Sequence, residues 1–141
     1  MIKQTNINKL MLIALSCTVF LVVGCSDSND PVAPGIEPEI INSLDNFQFQ
    51  VTAMENYTGT LEYLWDNTGA MADVDQSCQI TAGSATLVLL DHGGTEVYSQ
   101  DLSQGGSYVS GAGMAGTWRI RVVLSGASGT LNFRTDMRPS P

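Results

Sequence analysis

The feature that most constrains this chain is a two-residue alternation that returns again and again between residues 46 and 137. In "NFQFQV", Phe47, Phe49 and Val51 share one parity, and Gln48 and Gln50 the other. "TLEYLW" groups Leu61, Tyr63 and Trp65; "WRIRVVL" sets Trp118, Ile120, Val122 and Leu124 against Arg119 and Arg121; "TLNFR" adds Leu131 and Phe133. Val74, Cys78 and Ile80 also share a parity, and "ATLVLL" is a continuous apolar run of strand length. Successive strand side chains point to opposite faces, so this texture predicts strands with one buried side. "EIINSLDNF" and "GAMADVDQ" leave room for one helical turn each.

Between the apolar runs a short grammar repeats: small residue, glycine, hydroxyl residue, strand. It stands in "TGTLEY", "AGSATL", "AGTWRI" and "SGTLNF". Glycine supplies the positive φ of a tight turn, so each is expected to separate two strands. With "DHGGTE" and "SQGGS" this predicts about seven or eight strands. The fold class expected is all-β, an antiparallel β-sandwich of jelly-roll or immunoglobulin-like size, with a closed barrel as the competing architecture. If "SGASG" closes a hairpin, Leu124 faces Leu131, Val122 faces Phe133, Arg121 faces Arg134 and Arg119 faces Asp136. That register would gather Arg119, Arg121 and Arg134 on one outer face.

The amino-terminal segment has a different character. Lys3 and Lys9 precede an apolar run over residues 10–24, "LMLIALSCTVFLVVG". Its 15 residues suit a secretory h-region and fall short of the roughly 20 of a spanning helix. The run ends in "VVGC", and Val22, Val23, Gly24 and Cys25 resemble the lipobox of bacterial lipoproteins. The resemblance implies a signal helix over residues 1–24, cleavage between Gly24 and Cys25, and lipid (diacylglyceryl and palmitate-type chains) on Cys25. Ser26 after the cysteine implies the outer membrane in that family's sorting logic, while Asp27 and Asp30 loosely resemble surface-export signals. Two or more acyl chains suffice for stable anchoring without a spanning segment.

Residues 25–45 read as an acidic, proline-rich tether, too poor in apolar surface to order itself. The folded domain is then expected at residues 46–137, with a tail at 138–141. Loss of residues 1–24 removes both lysines. Arg119, Arg121, Arg134 and Arg138 then face 14 acids, a formal net charge of −10. Such a surface repels phosphate backbones, which argues against nucleic-acid binding. Cys17 leaves with the signal and Cys25 carries lipid, so Cys78 has no partner for an intrachain disulfide and reads as a small buried hydrophobe.

Candidate sites are few. Arg119, Arg121 and Arg134 are candidate contacts for an anionic ligand or partner, against the plainer reading of arginines paired with acids. Asp66, Asn67, Asp73 and Asp75 in "WDNTGAMADVDQ" offer oxygens to calcium but lack the EF-hand spacing. The single histidine, His92, reads as a turn residue, with Asp91 capping that turn. Trp65 and Trp118 have core parity; Tyr57, Tyr98 and Tyr108 are the better candidates for a carbohydrate platform.

No phosphate cradle, zinc spacing or nucleophile elbow is present. "LLDHGGTEVY" and "GTWRIRVVLSGASGTLNF" resemble the closing strands of small secreted sandwich modules of the pre-peptidase C-terminal type. That resemblance covers about a third of the chain, bears on fold, and carries over no site residues. The expectation is a lipid-anchored envelope protein with a non-enzymatic binding or structural domain that engages an envelope protein or glycan and needs no cofactor. A carbohydrate-binding module is the alternative, and a small hydrolase acting through paired carboxylates stands behind both.

Overall fold

A computed structural model describes residues 36–139, and all of its regular structure is strand. The signal, cleavage and lipidation positions, including Gly24 and Cys25, lie outside the described residues. Seven antiparallel strands form: β1 (Glu39–Ser43), β2 (Asn46–Asn67), β3 (Met71–Gln76), β4 (Gln79–Leu90), β5 (Glu96–Asp101), β6 (Gly106–Val109) and β7 (Gly116–Arg138).

β7 is the axis of the molecule. β2 pairs with one edge of it from Asn46↔Asp136 to Asn67↔Gly116. β3 and then β4 pair with the other edge, from Met71↔Arg138 to Leu90↔Arg119. This three-ply ribbon doubles back at its middle. Phe47 and Tyr63 belong to the same strand, yet their rings are 5.6 Å apart. The Asp45 N–H, just ahead of β2, donates to the Asp66 carbonyl at 2.9 Å near its far end. One layer therefore holds β1, the first half of β2, the second half of β7, β3 and β6. The other holds the second half of β2, the first half of β7, most of β4, and β5. We call these sheet I and sheet II.

The bend has a local cause in each ply. β2 slips register between Val51 and Gly59, with Ala53 (φ 53°) and Asn56 (φ 45°) in the left-handed region. β4 slips between Ile80 and Ser84 around Gly83, and β7 turns at Gly126 and Gly129. Bulges of this kind insert unpaired residues, bend a strand and increase its twist. Glycine is required at two of these positions. A Cβ on Gly83 would lie 2.2 Å from the Gly126 carbonyl oxygen, and one on Gly129 would lie 2.0 Å from that of Gln79.

The expected alternation holds along the aromatic and aliphatic runs, while Cys78 and Ile80, expected inward with Val74, are only partly buried. Phe47, Phe49, Val51, Leu61, Tyr63, Trp65, Trp118, Ile120, Val122, Leu124, Leu131 and Phe133 are all buried in one core between the sheets. Phe49 stacks on Phe133 at 5.1 Å, and Trp65 meets Trp118 edge-on at 5.9 Å.

Several expectations are corrected. "SGASG" does not close a hairpin: β7 runs through it, because Tyr57 and Met54 on β2 and Ile80 and Ala82 on β4 hold both of its edges across the bend. "TGT", "AGS" and "SGT" are likewise in-strand positions, and the positive-φ Gly83 and Gly129 serve bulges where turns were expected. "EIINS" is β1, and "MADVDQ" is β3. The fold also begins ahead of residue 46: Ile36 is buried in the core, Ile40 packs on it, and β1 pairs with β2. Strand β7 extends through Arg138, one residue into the expected tail.

The bend yields a direct comparison. Gly94 (φ 82°) has open space around it, so Gly94→Ala should cost only left-handed strain, about 1–2 kcal/mol. Gly83→Ala (φ 68°) should cost about 3–5 kcal/mol, because overpacking against Gly126 adds to that strain. Denaturant midpoints of the two variants measure the difference.

Candidate functional site

Folding the ribbon sends its outward side chains to two opposite surfaces. On sheet II, Arg119 and Arg121 both reach Glu62: Arg119 Nε lies 2.9 Å from Oε1 and Arg121 Nη2 lies 3.1 Å from Oε2. On sheet I, Arg134 donates to Asp75 Oδ2 at 2.6 Å and to Asp136 Oδ2 at 2.8 Å. The three arginines thus do not form one cluster, and Arg119 does not face Asp136. Both errors follow from the missing hairpin.

The outer face of sheet I carries the more developed arrangement. Register lines up Ile41, Gln48, Arg134, Asp75 and Ser107 across five strands. A parallel row holds Ser43, Asn46, Asp136, Asp73 and Val109. Hydrogen bonds tie the rows together. Ser107 Oγ donates to Asp75 Oδ1 at 2.5 Å, Asn46 Nδ2 donates to Asp136 Oδ1, and Gln48 Nε2 donates to Asn46 Oδ1 at 3.2 Å. One polar chain therefore runs Ser107–Asp75–Arg134–Asp136–Asn46–Gln48 over β6, β3, β7 and β2. Beside it, Arg138 forms a separate pair by donating to Asp73. The Ser107 hydroxyl and the Arg134 guanidinium hold the Asp75 carboxyl below the ordinary carboxylate range. The same carboxylate raises Arg134 further.

These pairs are roughly half exposed, so each contributes little stability, about 0–1 kcal/mol. Their effect is to fix side-chain positions on a rigid sheet. Two shallow depressions lie on this face and share Gln48 and Asn132. The Gln50 and Asn132 side-chain amides make no intramolecular hydrogen bond among the described residues, although the Asn132 main chain is engaged by Cys78 and Ser77.

The calcium candidates do not converge. The Asp66 carboxylate accepts from Thr117 Oγ1 on sheet II, while Asp73 and Asp75 point to arginines on sheet I. Among the described residues no three His, Cys, Asp or Glu side chains are grouped to hold a metal ion. Tyr57 is half-buried at the bend. Tyr98 is only 9% exposed and donates to Gln76 Oε1 at 2.8 Å, so it offers no open platform; burial raises its phenol. Cys78 is half-buried with its thiol likewise raised by burial.

Asp91 does cap its turn, and does more. Its Oδ1 accepts from the Thr95 N–H and its Oδ2 from the Met114 N–H, each at 2.8 Å. One carboxylate therefore pins the β4–β5 turn to the segment that enters β7. His92 is exposed in that turn, with its N–H directed to the Met114 carbonyl at 3.3 Å. Gln50, Asn132 and Ser107 do not stand out as site residues in the sequence. The outward parity of Gln48 and Gln50 was a usable signal, but their neighbours on β7 and β6 depend on register.

No family model and no curated protein matches the chain. Among solved structures, it is similar to a chain from the crystal structure of accessory secretory protein 1, 2 and 3 in Streptococcus pneumoniae. The TM-score is 0.38 at 7% identity, over 79% of this chain and 91% of that one. That likeness is too slight to bear on fold or function.

Backbone N–H donors, Met114 first and Thr95 next, depress the Asp91 carboxyl, and the Ser103 N–H does the same for Asp101. A depressed folded-state value stabilises the protein above the unfolded carboxylate range, near pH 4, and that stability is lost as pH falls through the folded values. Thermal unfolding from pH 6 to pH 2 should therefore show a steep acid loss. Asp91→Asn, which retains only one acceptor oxygen, should lower the midpoint at pH 6 and flatten the acid dependence.

Proposed function

We propose that the protein is a lipid-anchored envelope protein whose β-sandwich acts as a non-enzymatic binding module through the outer face of sheet I. The observation that carries the anchoring is the "VVGC" ending of the apolar run at residues 10–24, with Cys25 as the acylated residue and the outer membrane as its address.

The chemistry of the face favours binding over turnover. Hydrolysis by paired carboxylates needs one acid with a raised value to donate a proton. On this face the Ser107 hydroxyl and the Arg134 guanidinium hold Asp75 down, which suits it to accepting hydrogen bonds. The amide-rich side of the same face favours a second reading within binding, a carbohydrate-binding module.

Intact-mass analysis of the membrane-extracted protein should find Cys25 as the first residue, carrying diacylglyceryl. Cys25→Ser should accumulate the uncleaved precursor, with no acylated form. An exported protein without acyl chains would overturn the anchoring.

A further inference from the structure

We infer that the outer face of sheet I binds a neutral oligosaccharide laid across the strands, with Gln48, Gln50 and Asn132 as its main hydrogen-bonding contacts. This rests on the binding-module reading above and names the ligand class for the same face.

Three observations converge on it. First, the two depressions meet at Gln48 and Asn132, making one shallow trough from Ile41 on β1 to Ser107 on β6. Five strands at the usual spacing give it a length of about 19 Å, which is the scale of a short oligosaccharide. Second, three amides along the trough keep bonding capacity to spare. Gln50 and Asn132 spend no side-chain bond on the protein, and Gln48 spends one donor. Each amide offers donors and an acceptor, which matches sugar hydroxyls that also donate and accept. An extended peptide would be read chiefly by backbone groups at a sheet edge, and this trough lies on a face.

Third, charge and rigidity select the class. Glu39, Asp73, Asp75 and Asp136 outnumber Arg134 and Arg138 around the trough, so an anionic chain is repelled and a neutral one is not. The bonded chain from Ser107 to Gln48 holds one wall in place, which limits the ordering needed on binding. At the opposite end Ile41 is 57% exposed and gives a sugar ring an apolar contact. The tyrosines expected as a platform are not part of this surface.

The test titrates the detergent-solubilised full chain with neutral hexasaccharides, cellohexaose and mannohexaose, and with an acidic one, hexagalacturonate. Side-chain amide resonances of Gln48, Gln50 and Asn132 report binding. These amides should shift saturably with at least one neutral chain and not at all with the acidic chain. Asn132→Ala and Gln50→Ala should each weaken binding by about tenfold or more, while Glu62→Ala on sheet II leaves it unchanged. Silence with both neutral chains, shifts that map elsewhere, or preference for the acidic chain would overturn it. Capture of an envelope protein through this face by the acylated chain, with no glycan shift, would sink the sugar assignment and leave the module reading intact. Absence of acylation would sink the anchoring alone.

Discussion

The hydrogen bonding of β7 along both edges, maintained while the strand doubles back, is the constraint on which the rest of the molecule depends. A straight strand of the length of β2 or β7 would run roughly 70 Å and expose its apolar side along all of it. Bending each ply at one line turns the apolar side of the first half against that of the second. The ribbon thereby supplies its own second layer, and Phe47, Tyr63, Phe133 and the two tryptophans meet in one core. The bend needs backbone that side chains tolerate poorly, and it is found at Ala53, Asn56, Gly83, Gly126 and Gly129. Peripheral strands β1, β5 and β6 then widen the layers.

Polar groups close what the bend leaves open. At the free end of the folded ribbon, Asp45 accepts from the Thr68 N–H and hydroxyl while its own N–H reaches Asp66 and its carbonyl accepts from Met137. At the side, the buried Gln76 amide donates to the Gln104 carbonyl and accepts from Tyr98, joining the edge of sheet I to β5 of sheet II. Asp91 ties the turn after β4 to the entry of β7. Such contacts are strong only because the groups are partnered; a buried amide or carboxylate without them would be destabilising. With the sandwich fixed in this way, the outer face of sheet I becomes a rigid display of amides, acids and arginines.

Parity was fully legible from the residues, because alternation survives any topology that keeps one face inward. The path of β7 was not. Gly126 and Gly129 have the same local signature in a hairpin turn as in a bulge, and both place Leu124, Leu131 and Phe133 inward. What separates them is whether neighbours hold both edges of the segment, a long-range property that spacing does not encode. The arginine pairings failed with the hairpin, since Arg121 and Arg134 reach opposite surfaces once the strand continues. Tyr98 was misplaced for a related reason: its burial depends on Gln76 arriving from another strand. The early start of the fold had a local signal in Ile36, Ile40 and Ile41, outweighed by the acids and prolines around them.

Cross-strand backbone contacts by nuclear Overhauser spectroscopy give the sharpest test of the doubled ribbon, since opposed residues in antiparallel strands lie about 4.5–5.5 Å apart between Cα atoms. The doubled ribbon requires contacts between Gln48 and Arg134, between Glu62 and Arg121, and between Val88 and Arg121, all in one folded species. Contacts between Arg121 and Arg134, or between Leu124 and Leu131 as facing partners, would mean that the final segment is a hairpin after all and would contradict it.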